Sequence, residues 1–254
     1  MKSVIITGLI IFFFTIPGFC QQTLQYSYRT QSYYGFTGLS FIPTAQTLTK
    51  KQINISYSSK PAKGQDVLLE PFSLQISIGA LKEGLEFAVT NTPIYASEEE
   101  FEGVKLINST LPIVPSVKYQ FMPMTKENHY VAMAGGFGWP YGSYYVVDKF
   151  FNAKIFDIIL HSGVATKLVT YHTFVGATFT FGNRIGEIQR DFPLEMLLEA
   201  SWGGSLKQLD KKEEGFFAIS FRQAWTSSLF IHTFFRIDGA TKYMGLGLNL
   251  NWNL

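Results

Sequence analysis

Along most of the chain, apolar and polar side chains alternate one for one. The last strand-like stretch shows it most clearly. Met244, Leu246, Leu248, Leu250, Trp252 and Leu254 fall on one side, and Gly245, Gly247, Asn249, Asn251 and Asn253 on the other. Successive side chains of an extended strand point to opposite faces, so this pattern predicts a strand with one greasy and one small polar face. Ile53, Ile55 and Tyr57 repeat it against Asn54, Ser56 and Ser58, as do Leu74, Ile76 and Ile78 against Ser73, Gln75 and Ser77. Further such runs lie around residues 85–90, 116–121, 169–181, 194–202, 217–222 and 229–237. Turn-forming residues separate them, among them Lys82-Glu83-Gly84, Gly182-Asn183 and Asp238-Gly239. The count is about twelve strands, within a range of about 10–14. No internal repeat or linker breaks the series, so one domain is expected. Two charged connections, 97–109 with Glu98-Glu99-Glu100 and 203–214, are expected to be loops, the acidic one solvated.

The first twenty residues break the pattern. Lys2 precedes an apolar run from Val4 to Ile16 and then Pro17-Gly18. That is the layout of a secretory signal peptide, with residues 21–254 as the exported barrel domain. The run is short for a membrane-spanning helix, which needs about 20 residues. Cys20, the only cysteine, falls at the expected cleavage point. Lipidation there fits poorly, because Phe19 stands where a small residue is required. Cleavage would leave no cysteine for a disulfide, a nucleophile or a thiolate metal site.

Alternation alone leaves open which face meets the core. Composition decides it. Only 16% of the residues are charged, against 46% hydrophobic, whereas a soluble domain carries roughly 25% charged residues. The polar faces are built mainly from Ser, Thr, Gly, Asn and Gln. Several runs reach about 9–11 residues, enough for a tilted strand to cross a bilayer. Aromatics gather near the expected strand ends, at Trp139, Tyr141, Tyr144, Tyr145, Trp202, Trp225 and Trp252, as in the interfacial girdles of outer-membrane barrels. These features predict an all-β, antiparallel transmembrane β-barrel whose apolar faces meet outer-membrane lipid. A secreted soluble β protein is the alternative. The strongly amphipathic last strand is expected to address the barrel-assembly machinery, although Leu254 replaces the usual terminal Phe. The formal charge of +2, with no basic run, gives no case for nucleic acid.

Candidate chemistry is sparse. No His-x-x-x-His, Gly-x-Ser-x-Gly, P-loop or dinucleotide motif occurs, so neither catalysis, metal nor cofactor is expected. His161 and Ser162 are adjacent, hence on opposite faces of a strand. Glu86, Lys118, Glu195, Glu199, Arg222 and Arg236, with His172 and His232, stand on polar faces and are expected to point into the lumen. There they would form either a network filling a narrow barrel or a solute-selecting constriction.

The stretch Gly38-Leu39-Ser40-Phe41-Ile42-Pro43-Thr44-Ala45 resembles the N-terminal GL-x-x-x-PTA signature of YjbH-type outer-membrane barrels, and weaker blocks follow in the same order at Gly84–Phe87, Pro115–Tyr119 and Tyr145–Lys149. The resemblance implies an outer-membrane location and a link to exopolysaccharide or its export proteins, in a short, single-barrel version. Within the motif, Gly38, Leu39, Pro43, Thr44 and Ala45 admit two readings: a strand-ending turn, since proline cannot donate to a ladder, or a plug at the periplasmic end. The functional expectation is a non-enzymatic envelope protein supporting surface polysaccharide. A general diffusion channel is the second reading, and a lipid-modifying enzyme the third.

Overall fold

The computed structural model describes residues 32, 37–59, 72–80, 82–91, 95–101, 104–110, 113–138, 142–152, 156–167, 170–181, 194–205, 212–226, 228–238 and 241–253. The expected signal peptide, Cys20, Trp139 and Tyr141 lie outside them. Fourteen strands follow one another: β1 (Gln52–Ser59), β2 (Phe72–Gly79), β3 (Leu85–Thr90), β4 (Tyr95–Phe101), β5 (Val104–Thr110), β6 (Val114–Met122), β7 (Val131–Gly138), β8 (Gly142–Asn152), β9 (Phe156–Lys167), β10 (Thr170–Phe181), β11 (Leu194–Ser205), β12 (Lys212–Ala224), β13 (Leu229–Asp238) and β14 (Thr241–Asn253). Twelve of them close an antiparallel barrel in the order β1-β14-β13-β12-β11-β10-β9-β8-β7-β6-β3-β2. Closure is made by β1 on β14, from Gln52 opposite Asn253 to Ser59 opposite Leu246. Closure leaves no open edge, which a sheet in lipid requires, since unpaired backbone groups there find no water.

The faces follow the alternation. On β2, Ile76 is 49% exposed while its neighbours Gln75 and Ser77 are at 0% and 1%. Phe87, Val117, Leu160, Val175, Phe217, Phe221, Leu246 and Trp252 line the outside, and Asn54, Ser56, Thr90, Thr178, Ser220 and Asn249 the inside. A water-soluble barrel would show the reverse. This is a transmembrane barrel: the apolar side chains meet lipid and the polar ones satisfy each other within. Asn54 donates from its side-chain amide to Asn251, and the Ser56 hydroxyl donates to Gln75.

Three expectations need correction. The acidic connection is not a plain loop: β4 and β5 pair with each other as a separate two-stranded sheet between β3 and β6. The expected crossing length of about 9–11 residues or more is met by β6 and by β8 to β14, with 9 to 13 residues, while β1, β2 and β7 have 8 and β3 has 6. Tyr144 belongs to no aromatic girdle, because it points inward and is buried, unlike exposed Tyr145, Trp202, Trp225 and Trp252. The inner wall is also not polar all round. On β7 to β11, Ala132, Ala134, Val146, Phe150, Ile159, Ala165, Phe174 and Leu197 are buried on the inside. On β7 to β9 both faces are largely apolar, which erases the alternation, and the inner apolar patch has a partner that local pattern does not show.

Tight turns fit their residues. Between β2 and β3, Gly84 adopts φ +80°, a left-handed conformation that glycine alone reaches without steric cost. Its carbonyl accepts Gln120 N–H at 2.8 Å.

Candidate functional site

The partner of the inner patch is the segment ahead of β1. Residues 37–48 are all buried inside the barrel. The segment turns back on itself: Gly38 and Pro43 form an antiparallel bridge, and Leu39 N–H donates to the Ile42 carbonyl at 3.0 Å. The Gly38-Leu39…Pro43-Thr44-Ala45 stretch is therefore a hairpin turn inside the lumen, ahead of the first barrel strand and not at the end of one. Leu39, Ile42 and Ala45 pack with the inner apolar residues of β7 to β11. Gly176 on β10 makes the room, because a Cβ there would come within 2.7 Å of Leu39 Cδ1 and 2.9 Å of Ile42 Cδ1.

A short hairpin inside a barrel cannot pair all its own N–H and C=O groups, and each one left unmet underground costs free energy. Charged wall side chains meet them. Near the end of the barrel where β1 begins, Glu86 on β3 accepts from Thr37 N–H at 2.8 Å, the Thr37 hydroxyl at 2.6 Å and Leu48 N–H at 3.0 Å. Beside it Lys118, directly opposite on β6, donates to the carbonyls of Thr37 (2.5 Å), Gln46 (2.6 Å) and Thr44 (3.3 Å). Its ammonium lies 4.0 Å from Glu86. Across the lumen, Glu199 on β11 accepts three successive N–H groups, from Ser40 (2.9 Å), Phe41 (2.8 Å) and Ile42 (3.0 Å). Arg222 on β12 donates to the Gly38 carbonyl at 3.0 Å while held by Glu195, Nε at 2.8 Å and Nη2 at 2.6 Å. The Ser40 hydroxyl meets Ser220 at 2.6 Å. Hydrogen bonds with one ionised partner are shorter and roughly twice as strong as neutral ones.

The ring of Phe41 sits edge-on to Phe234 (5.0 Å between centroids) and Phe216 (5.7 Å). The Arg236 guanidinium stacks over Phe41 at 4.6 Å and Phe216 at 4.0 Å. Of the remaining expected lumen residues, His232 is buried on β13 opposite Arg222, its ring 5.6 Å from Phe234. Neither of its ring nitrogens has a hydrogen-bond partner among the described residues. His172 is half-buried, opposite Gly203 on β11.

Sequence reasoning missed one cluster. Asp148 on β8 sits directly opposite His161 on β9, and its Oδ1 lies 2.8 Å from His161 Nδ1. The other imidazole nitrogen lies 2.9 Å from Thr178 Oγ1 on β10. The second oxygen of Asp148 accepts Ala45 N–H at 2.7 Å. All three side chains are buried. A signal was present: Asp148 and Lys149 are the charged residues of the run Tyr144–Phe151, and as strand neighbours they point to opposite faces, so one of the two must face the interior. No group of His, Cys, Asp and Glu fit to hold a metal occurs among the described residues.

No protein-family model matches the chain, and no curated protein matches it. Among solved structures it is similar to a KdgM porin in complex with disordered oligogalacturonate, at 10% identity and a TM-score of 0.49, over 79% of this chain and 99% of that one. It is also similar to an outer membrane channel from Pseudomonas putida F1, at 10% identity and a TM-score of 0.49, over 82% and 97% of the two chains. The NanC porin is similar at 9% identity and a TM-score of 0.46, over 80% of this chain and 100% of the other.

Proposed function

We propose that this protein is an outer-membrane, porin-like channel held shut by its own N-terminal hairpin. The observation that carries the reading is the chemistry of the wall beneath the hairpin. Glu86, Lys118, Asp148, Glu195, Glu199 and Arg222 are each at most 2% exposed. Burying ionised groups costs several kcal/mol each, about 1–4 kcal/mol more than apolar replacements in permanently dry sites. Here the charges offset that cost while the hairpin is docked, by meeting main-chain groups that an apolar wall would leave unmet. Charges on the wall fit a lumen that fills with water when the hairpin leaves. They grip the hairpin largely through its main chain, so water can take over the same groups on withdrawal.

The test is conductance in planar bilayers. The intact full-length chain should be mostly silent with rare discrete openings. Phe41→Ala removes the ring from its aromatic slot, about 3 kcal/mol or more, and should raise the open fraction about a hundredfold. A barrel that stays silent with Phe41→Ala at every voltage would sink the channel reading. One that stands open with the hairpin in place would sink the plug. Membrane fractionation and heat-modifiable gel migration test the outer-membrane location.

A second reading attaches to the same segment. The residues that resemble the YjbH-type signature are those bound in the lumen, which supports a channel working beside surface-polysaccharide export. Loss of surface polysaccharide in a strain carrying Phe41→Ala, or lacking the gene, is the expected result. Unaltered polysaccharide in both would reject it. Pairing of β14 with β1 is in keeping with closure by assembly machinery that engages the last strand.

A further inference from the structure

We infer that Glu199 is the selectivity residue of the opened lumen and makes it prefer cations. This rests on the plugged-channel reading. Among the other described lumen carboxylates, Glu86 lies beside Lys118, Glu195 is held by Arg222, Asp148 by His161, and Asp157 stands at the start of β9 between Asn152 and Thr180. Glu199 differs: the hydrogen bonds it makes come from Ser40, Phe41 and Ile42 of the hairpin.

The wall explains why. The residues directly opposite Glu199 are Gly176 on β10 and Ala218 on β12, and neither side chain carries a donor. The next inward-facing residue towards the start of β11 is Leu197, buried and apolar. Arg236 stands opposite Ala218, two strands from Glu199, about 10 Å away at ordinary strand spacing, stacked on Phe216.

When the hairpin leaves, the carboxylate loses its three N–H donors and gains no cationic partner from the neighbouring positions, where the inward donors are the hydroxyls of Ser201, Thr178 and Ser220. It stays as a fixed negative charge aimed into the water column. The rest of the wall has the same sign. Five described carboxylates face inward (Glu86, Asp148, Asp157, Glu195, Glu199) against Lys118, Arg222 and Arg236. The hairpin itself, residues 37–48, carries no ionisable side chain. It closes the channel by supplying main-chain dipoles where permeating cations would otherwise gather. The solutes admitted are small cations and cationic organic molecules.

The experiment measures reversal potentials in a KCl gradient, on the full-length chain opened by Phe41→Ala. Cation selectivity is expected. Adding Glu199→Gln should lower the K⁺/Cl⁻ permeability ratio by up to about twenty-five-fold, because one unit charge at about 4 Å in water favours K⁺ and disfavours Cl⁻ about fivefold each. Glu199→Asp should preserve the ratio. Ala218→Lys, which sets a cation beside the carboxylate, should lower it as Glu199→Gln does and serves if that variant fails to fold. Anion selectivity with Phe41→Ala alone, or a ratio unmoved by both neutralising changes, overturns the role of Glu199 and leaves the channel standing. Silence with Phe41→Ala removes the channel, and this inference with it.

Discussion

Lys118 is where the hairpin's stem can be loosened with the least change of shape. Lys118→Met keeps the apolar part of the side chain and removes the ammonium. Three carbonyls then lose their donor, two of them at 2.5 and 2.6 Å and one at 3.3 Å. A hydrogen bond to a charged group contributes about 1.5–3 kcal/mol, so the two short ones together hold the stem by about 3–6 kcal/mol. The open state loses little, because there Lys118 and Glu86 would face water, where such a pair is worth at most about 1 kcal/mol. The net bias towards opening is about 3–5 kcal/mol, the usual effect of removing one partner of a buried charged pair. That is about a hundred- to several-thousandfold in the open fraction. The assay is thiol labelling of Ala45→Cys, a position at 0% exposure in the lumen, with Cys20, the only native cysteine, replaced by Ser. Where reclosing is faster than labelling, the rate follows the open population. Labelling should accelerate by that factor when Lys118→Met is added. Equal rates in the two backgrounds would show that the ammonium does not hold the stem, and the account of the wall charges as the hairpin's grip would fail.

Two further outcomes follow from the same geometry. Gly176→Leu fills the space used by Leu39 and Ile42; overpacking of about 1–3 kcal/mol should raise Ala45→Cys labelling while heat-modifiable migration of the barrel persists, and unchanged labelling would mean the tip does not dock there. Ile76→Lys puts a charge on the lipid face, where Ile76 is half exposed; unfolding from bilayers by denaturant should show a loss of up to about 2–4 kcal/mol, and no loss would place that face away from hydrocarbon.

How much was legible in the sequence varies along the chain. From Met244 to Trp252 on β14 and from Leu74 to Ile78 on β2 the residues obey the alternation, and the inward and outward sets read from the letters are those in the structure. The charged positions on polar faces, from Glu86 to Arg236, were legible for the same reason. On β7 to β9 the method had nothing to hold. Tyr144-Tyr145-Val146-Val147 and Ile158-Ile159-Leu160 are apolar on both faces, and period-two reasoning needs a contrast. Hence Tyr144 read as a girdle residue and the Asp148–His161–Thr178 cluster was missed. The hairpin pairing of β4 with β5 was hidden by Glu98-Glu99-Glu100, which have little strand propensity.

The letters by themselves determined the barrel and its polarity. Both are local: a strand's two faces are written in adjacent residues, and too few charges remain to coat a soluble surface. Tertiary structure alone decided what fills the barrel. The grip on residues 37–48 joins positions far apart in sequence, Ser40 to Glu199 and Gly38 to Arg222 among them. It runs through main-chain N–H and C=O groups that every residue but proline carries alike, so no choice of letters in the segment announces which wall carboxylate it will meet. Only closing β1 on β14 brings the charges of β3, β6, β8, β11 and β12 round one short hairpin, and the lumen network becomes a lock.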